Sequence, residues 1–498
     1  MPSRAKDATP NVVLCNLRDA AGQTQQDVAD ALNVLGSHKR KGMAVTANQV
    51  SRWERGITHP SALYRQVLAE HFGVSLQELG LTRPRIAAGQ PEAVDDDDGN
   101  AFALHDRAEA PVGARVERGQ AEWRAVRRRL NDHRGQLARE AARLYDAEVR
   151  VGDTGLIASP TWLPPSPVEL GQVGITLPPE NVTPEVTGLE DATAAVRPLA
   201  TDYQRYHRYS LALRDVEQPR LFENRLAWRL TGVDWGSPDA ALTFATGTYF
   251  GGVDVAEALA HEMAAAHLTG DDSGIRPAAW RGLTLRRLIG DPLTPHRWPC
   301  VPSTDTLTLR VDEDGVTFVL HNRAADNVAV AGGMLHIMPA GVFQPSSILP
   351  GAQSADFDLW RNMAREYSEE FLGNTEHGGD GEPADYSMEP LASLNQAYEA
   401  DDVRVYCLGV ALDALTLWGE ILTVAVFDGR AYDRLFANMV SANNEGTIVK
   451  TGRVKPTSAL PFTRHAIDEL TSSGRLAPAA AGCIQLAWEH RRTILGRI

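Results

Sequence analysis

Two short polar-apolar patterns at the amino terminus decide how it folds: TQQDVADALN at residues 24–33 and VTANQVSRWERGITHPS at residues 45–61. Each has apolar residues at helical spacing behind a threonine, a residue type that caps helix amino termini. These positions are Val28, Ala29 and Leu32 behind Thr24, and Val50 and Trp53 behind Thr46. A third pattern, SALYRQVLAEHFGVS at residues 61–75, predicts an amphipathic helix that ends at Gly73. Residues 11–80 are therefore expected to form a bundle of short helices.

The second pattern is rich in side chains that can read DNA. Asparagine, glutamine and arginine make paired hydrogen bonds to base edges in the major groove, and two short helices joined by a turn can present them there. The stretch resembles the Xre/Cro-type helix-turn-helix family over nearly all of residues 11–80, although the connection between its second and third helices is longer. The alternative is a small protein-interaction bundle with a solvated polar face.

The resemblance implies a set of residues that contact double-stranded DNA. It places Gln25 on the phosphate backbone and Asn48, Gln49 and Arg52 on the bases. Thr46 and Ser51 belong to the same predicted surface, and the basic loop is expected to add phosphate contacts from Lys39, Arg40 and Lys41.

The charge distribution separates this region from the rest of the 498 residues. The chain carries −15, but residues 1–80 hold nine basic and seven acidic side chains, so they carry +2 and the remainder carries −17. A small basic module on an acidic body is typical of a nucleic-acid-binding protein. No apolar run is long enough to cross a membrane and the amino terminus lacks a secretory pattern, so we expect a cytoplasmic protein with no membrane partner. The four cysteines have no paired spacing, which argues against disulfides and a thiolate zinc site.

A heptad pattern follows an acidic, Pro-containing linker. Five apolar residues recur every seventh position, at Val116, Trp123, Leu130, Leu137 and Leu144. Such a repeat favours helix pairing and predicts a homodimer, although Gly119, His133 and Glu140 weaken the second seam position. The alternative is a single helix that packs a narrow apolar stripe on its own domain.

A carboxylate-rich helix is predicted from DFDLWRNMAREYSEEFLG at residues 356–373. One face is an apolar stripe, and Glu366, Glu369 and Glu370 lie at i, i+3 and i+4 on another. Three carboxylates within one turn repel each other, so we predict that they bind a divalent cation, Mg²⁺ or Mn²⁺. The bland alternative is an acidic, solvent-exposed helix.

The stretch REYSEEFLG at residues 365–373 resembles the core of the Nudix box, and MLHIMPAGVFQP before it is similar to the strand that precedes that box. The resemblance implies catalytic roles for Arg365 and the three glutamates, and ligand contacts at Gly341 and Gln344. It also implies an α-β-α sandwich with a mixed sheet. The segment between Gly341 and Arg365 is longer than in that family, so the loop is rebuilt.

These patterns together predict a multidomain protein. Residues 1–81 form an all-α helix-turn-helix domain, 82–113 an acidic linker, 114–304 a mainly helical connector, and 305–498 an α/β Nudix-like domain. The predicted function is a DNA-binding transcriptional regulator whose last domain senses a nucleotide-type ligand. The alternatives are an active Mg²⁺-dependent Nudix hydrolase with an accessory DNA-binding domain, and an inert Nudix-like scaffold in a dimeric regulator.

Overall fold

The structure of the protein is a computed structural model. It describes residues 11–20, 23–37, 45–55, 60, 62–72, 74, 113–219, 222–237, 241–268, 274–323, 334–374, 383–440, 446–448 and 459–496. The chain divides into a smaller unit, Met1–Glu109, and a larger unit, Ala110–Ile498.

Four helices make up the described part of the smaller unit. They are α1 (Val12–Ala20), α2 (Gln25–Ser37), α3 (Ala47–Glu54) and α4 (Ala62–Phe72). Their apolar faces share one core, formed by Leu14, Val28, Ala29, Leu32, Val45, Val50, Trp53, Val67 and Leu68. The helices predicted at the two opening patterns are therefore present, and the apolar residues that predicted them are the ones that are buried.

The larger unit combines helices with three sheets. Its helices are α5 (Ala114–Ala142), α6 (Tyr209–Ala212), α7 (Tyr249–His267), α8 (Thr284–Ile289), α9 (Pro350–Asp356), α10 (Leu359–Glu366), α11 (Leu391–Glu399), α12 (Gly429–Leu435), α13 (Arg464–Ser472), α14 (Pro478–Glu489) and α15 (Arg491–Leu495). Its strands are β1 (Leu156–Ile157), β2 (Val168–Glu169), β3 (Ile175–Thr176), β4 (Leu226–Val233), β5 (Leu242–Thr248), β6 (Pro302–Asp312), β7 (Gly315–Phe318), β8 (Leu320–Arg323), β9 (Leu335–Ile337), β10 (Ala340–Val342), β11 (Val403–Asp413), β12 (Gly419–Asp428), β13 (Gly446–Ile448) and β14 (Leu460–Pro461).

A mixed sheet forms the centre of the larger unit, in the order β1-β11-β12-β6-β7-β14, with β10 also on β6 and β2 also on β11. Strand β12 runs antiparallel to β11 and parallel to β6. Successive side chains of a strand point to opposite faces. Thr304 and Thr308 of β6 bond to side chains of α10 and the turn after it, whereas Leu422, whose partner on β6 is Asp305, contacts α14 at Gly482. Helices therefore cover both faces of this sheet.

The stretches predicted as a connector, 114–304, and as a final domain, 305–498, share one core. Strands β1 and β2, from the stretch predicted as a connector, pair with β11 of the stretch predicted as the final domain. The predicted connector contains strands as well as helices, because β4 and β5 pair along their length and β3 joins β5. Residues 114–304 and 305–498, which composition alone separated, therefore belong to one unit.

The heptad stripe of α5 faces the interior of its own unit. Val116, Trp123, Leu130 and Leu137 are each at most 4% exposed, and Trp123 donates to the carbonyl of Val196. Leu144 lies beyond the end of the helix and packs against the same core. The pattern is therefore explained by intramolecular packing, and it gives the predicted homodimer no support.

Buried charges fasten α5 to α7. The Glu257 carboxylate on α7 accepts hydrogen bonds from Arg127 and, at 2.6 Å, from Arg134, both on α5. Arg127 also pairs with Glu217 at 3.0 Å. Burial by itself would raise the pKa of Glu257, but Arg134 and Arg127 hold it below its ordinary value. Each charge is therefore kept in the interior by an opposite charge in direct contact.

We expect Glu257→Ala to lower the free energy of unfolding of the larger unit by about 3 kcal/mol, because it leaves buried Arg134 without a carboxylate and Arg127 with Glu217 alone. Urea denaturation followed by circular dichroism at pH 7 measures this loss, with the exposed Glu117→Ala on α5 as the control. A carboxylate with a lowered pKa stabilises fully above its ordinary value of 4.5 and loses that effect as the pH falls. Equal stability of Glu257→Ala and the control at pH 7 would show that the network contributes nothing.

Candidate functional site

Helix α3 begins with a reciprocal cap. The Thr46 hydroxyl accepts from the backbone N–H of Gln49 at 3.3 Å, and the Gln49 side chain accepts from the backbone N–H of Thr46 at 2.9 Å. This capping box satisfies two donors that the first turn leaves without partners. Two of the predicted DNA contacts, Thr46 and Gln49, therefore also define where α3 starts.

The outer face of α3 presents a basic and polar surface. The Arg52 side chain is exposed, and Ser51 beside it is half-buried. Val50 and Trp53 point inward and are at most 4% exposed. A helix held by one apolar face with a cation on the other is suited to lie against the polyanionic groove of DNA.

Four of the predicted DNA contacts lie partly or wholly outside the described residues. These are Lys39, Arg40 and Lys41, together with the side chain of Asn48, whose backbone is within α3. Their contacts with DNA stay predictions.

A buried carboxylate ties three helices of the smaller unit together. Glu54, 6% exposed at the end of α3, accepts from Arg18 of α1 at 2.5 Å and from Gln25 of α2 at 2.6 Å. Gln25, expected on a phosphate from the family resemblance, thus uses its amide N–H to fix the angle between α2 and α3. Sequence reasoning missed Arg18 and Glu54, although a glutamate directly after a buried Trp53 was the available signal.

We expect Glu54→Ala to lower the opening free energy of α2 and α3 by about 3 kcal/mol, because it leaves Arg18 and Gln25 without their acceptor. Hydrogen exchange of the full chain, read at the protected amides of both helices, measures that free energy directly. The exposed Glu70→Ala on α4 serves as the control. Unchanged exchange in Glu54→Ala would mean that the apolar core alone sets the angle.

The carboxylate-rich helix of the larger unit is present, and it changes form midway. Helix α10 begins at its cap Asp358, and a π-helical turn, Tyr367–Phe371, continues it to a left-handed Gly373. The predicted apolar stripe is buried at Trp360, Ala364, Tyr367 and Phe371. The wider turn changes the angular spacing of the side chains after Glu366.

Two of the three glutamates face strand β10. Glu370 is 4% exposed and accepts from the backbone N–H of Ala340 at 3.3 Å. A Cβ at Gly341 would come 2.0 Å from the carboxyl carbon of Glu366, so a larger residue there would require the Glu366 side chain to move. Glu369 is half-buried. The structure therefore places Gly341, a predicted ligand contact, beside Glu366, and the neighbouring Ala340 beside Glu370.

Arg365 supports the rebuilt loop. Its guanidinium, 4% exposed, donates to the carbonyl of Gln344 at 2.6 Å and to Tyr386 at 2.5 Å, and lies 3.6 Å from Asp356. Burial raises the pKa of Tyr386, so its hydroxyl stays protonated. That hydroxyl donates a hydrogen bond to Asp356 at 2.7 Å. Arg365 thus supports the loop from within through the backbone of Gln344.

The metal site was expected from three converging carboxylates. Among the residues that the structure describes, no three histidine, cysteine, aspartate or glutamate side chains form a group that could hold a metal ion. Glu366 and Glu370 lie against β10, and metal binding stays a prediction.

The comparisons with known proteins concern the smaller unit. A family model described as helix-turn-helix matches residues 16–79, which begin within α1 and extend past the end of α4. No curated protein matches the chain. Within the described residues, no helix is long and apolar enough to span a membrane.

The match and the geometry of α2 and α3 agree on one class of domain. Residues 16–79 are similar to the helix-turn-helix family, and α2 and α3 share one core, which supports an amino-terminal DNA-binding domain. No match supports a Nudix domain in the larger unit.

Proposed function

We propose that this protein is a DNA-binding transcriptional regulator in which α3 enters the major groove. The observation that carries the proposal is the helix-turn-helix match over residues 16–79, together with an α3 that buries Val50 and Trp53 and exposes Arg52. The charge of +2 in residues 1–80, against −17 in the rest, favours contact with DNA through the smaller unit.

We expect Arg52→Ala to weaken binding of the full chain to its selected duplex by about 1 to 3 kcal/mol, because Arg52 would lose paired hydrogen bonds to a base. The duplex comes from selection in a random library, and fluorescence anisotropy measures the affinity at fixed salt. Binding to a scrambled duplex should change much less. Arg65→Ala on α4 is the matched control, since it removes an equal charge elsewhere on the unit.

Equal losses on the selected and scrambled duplexes would remove the base-reading role from Arg52 and leave only attraction to phosphate. Gln49→Ala is a poorer test, because Gln49 also caps α3.

The finer proposal is that the larger unit senses a nucleotide-type ligand near β10 and α10. The approach of Glu366 to Gly341 and the bond from Ala340 to Glu370 support it, since they join the two segments that resemble the Nudix box. A divalent cation, Mg²⁺ or Mn²⁺, belongs to this proposal through the resemblance. An active hydrolase and an inert scaffold are the alternatives, and product release on incubation with nucleoside diphosphate derivatives separates the enzyme from the other two.

We expect Mg²⁺ with ADP to raise the melting temperature of the wild type and to have a smaller effect on Glu369→Gln, which removes one candidate ligand charge. Thermal shift measurements with ADP alone, Mg²⁺ alone and both check this. Glu369 is the position to change because it is half-buried, whereas Glu370 is 4% exposed and its substitution disturbs the contact with β10. An identical response of the two proteins would exclude Glu369 from the site.

A homodimer stays a prediction that now rests on DNA geometry alone. Helix-turn-helix proteins commonly bind two half-sites one helical turn apart. Light scattering on the full chain, with and without the selected duplex, decides the stoichiometry.

A further inference from the structure

A pocket of about 470 Å³ opens beside the first half of α5, away from β10 and the carboxylate helix. One wall is α5, and the other is the segment around residues 195–205, with α7 beneath. Its size lies in the range of small-molecule sites. All of its lining residues belong to the larger unit.

The lining carries an excess of positive charge in an otherwise acidic part of the chain. Four arginines and one glutamate line the pocket, which gives a formal +3: Arg115, Arg118, Arg197, Arg205 and Glu122. Arginine guanidinium groups match carboxylate and phosphoryl oxygens with paired hydrogen bonds. This charge opposes the −17 of residues 81–498 and favours an anionic occupant.

Arg197 is placed where an anion would stabilise it. It is 9% exposed, and one terminal nitrogen donates to the carbonyls of Tyr206 and His207. Its Nε is buried without a hydrogen-bond partner among the described residues. Burial lowers the pKa of Arg197, Asp254 opposes that effect, and the neighbouring Arg205 lowers it further. A negative charge in the pocket would offset both the cost of burying the Arg197 charge and its repulsion by Arg205.

The floor of the pocket is aromatic and uncharged. Trp123 stacks on His261 with ring centroids 5.7 Å apart, and Tyr209 bonds to His261 Nδ1 at 2.9 Å. Burial, followed by the charge of Arg127, lowers the pKa of His261 to about 3, so the imidazole is neutral near pH 7. The charged groups that face His261 are Arg127 and Glu257, which pair with each other. The floor offers an apolar ring surface and a neutral polar edge below the arginines.

Gly119 leaves the space that the pocket occupies. It is one of the positions that interrupts the second heptad seam of α5, and it lines the pocket. A Cβ at Gly119 would meet only Leu199 Cδ1, at 3.9 Å, which is an ordinary contact. Glycine in a helix interior is unfavourable relative to other residues, so its presence here needs a reason other than backbone geometry. An open pocket supplies one.

We propose that this pocket binds a small organic anion with at least two negative charges, held by Arg115, Arg118, Arg197 and Arg205 above the Trp123–His261 floor. The shared chemistry is a multiply charged oxyanion, from either a phosphoryl or a polycarboxylate compound. The pocket lies apart from the carboxylate helix, so this inference stands whether or not the larger unit binds a nucleotide near β10.

Isothermal titration of the full chain with pyrophosphate and with citrate, at one constant ionic strength, tests the proposal. We expect saturable binding of at least one probe at one site per chain, and the preferred probe identifies the source of the oxyanion. Arg118→Met should weaken that binding about tenfold, because it removes a charge-assisted contact. Arg128→Met is the matched control: it is exposed on the same helix, does not line the pocket, and should bind as the wild type does.

Gly119→Leu provides a second, independent variant. It should fill the pocket and abolish binding while the melting temperature stays equal to or above that of the wild type, since leucine favours helix over glycine. Saturable binding of neither probe by the wild type would overturn the proposal, as would equal losses in Arg118→Met and Arg128→Met. Retained binding by a stable Gly119→Leu would do the same. If Arg118→Met lowers only the affinity for DNA, the arginines serve DNA phosphates and the small-anion site is ruled out.

Discussion

The larger unit depends on one buried carboxylate, Glu257, which two arginines of α5 share. Charges in the interior are tolerated only when opposite charges contact them directly, so α5 and α7 are restricted to one relative position. In that position the apolar stripe of α5 is buried in the core of its own unit. The same position also sets the distance between α5 and the segment around residue 197, and thus the width of the arginine-lined pocket. Changes at Glu257 are therefore expected to reach the pocket as well as the stability of the unit.

In the smaller unit, too, a buried carboxylate links neighbouring helices. Glu54 is buried at the end of α3 and receives Arg18 and Gln25 from the two preceding helices. Since the outer face of α3 meets DNA in the proposed function, its orientation relative to α2 decides which side chains reach the bases. The Gln25 side chain is predicted to contact a phosphate, and in the structure it donates to Glu54. The bond to Glu54 gives this glutamine a structural role that does not require DNA.

Local signals account for what the sequence predicted correctly. Threonine caps and apolar spacing predicted α2 and α3, because each signal lies within the element or directly before it. The pairing of β1 and β2 with β11 could not be predicted for the opposite reason, because β11 lies more than 230 residues further along the chain. The burial of Arg127 and Arg134 could not be predicted either, since their partner Glu257 lies more than 120 residues away. The prediction that Glu366, Glu369 and Glu370 converge assumed a regular α-helix. The π-helical turn changes the angular spacing of these side chains. The arginine-lined pocket was missed because its residues come from three distant segments, although Gly119 in a heptad seam was a usable signal.

Photo-crosslinking of the full chain to its selected duplex, with iodinated bases at each position and crosslinked peptides identified by mass spectrometry, tests the proposed DNA-binding role most directly. We expect crosslinks at bases to fall within residues 45–55, which contain the cap and the exposed face of α3. Crosslinks confined to residues 113–496 would contradict the account, because base contacts would then lie in the larger unit and α3 would have another role.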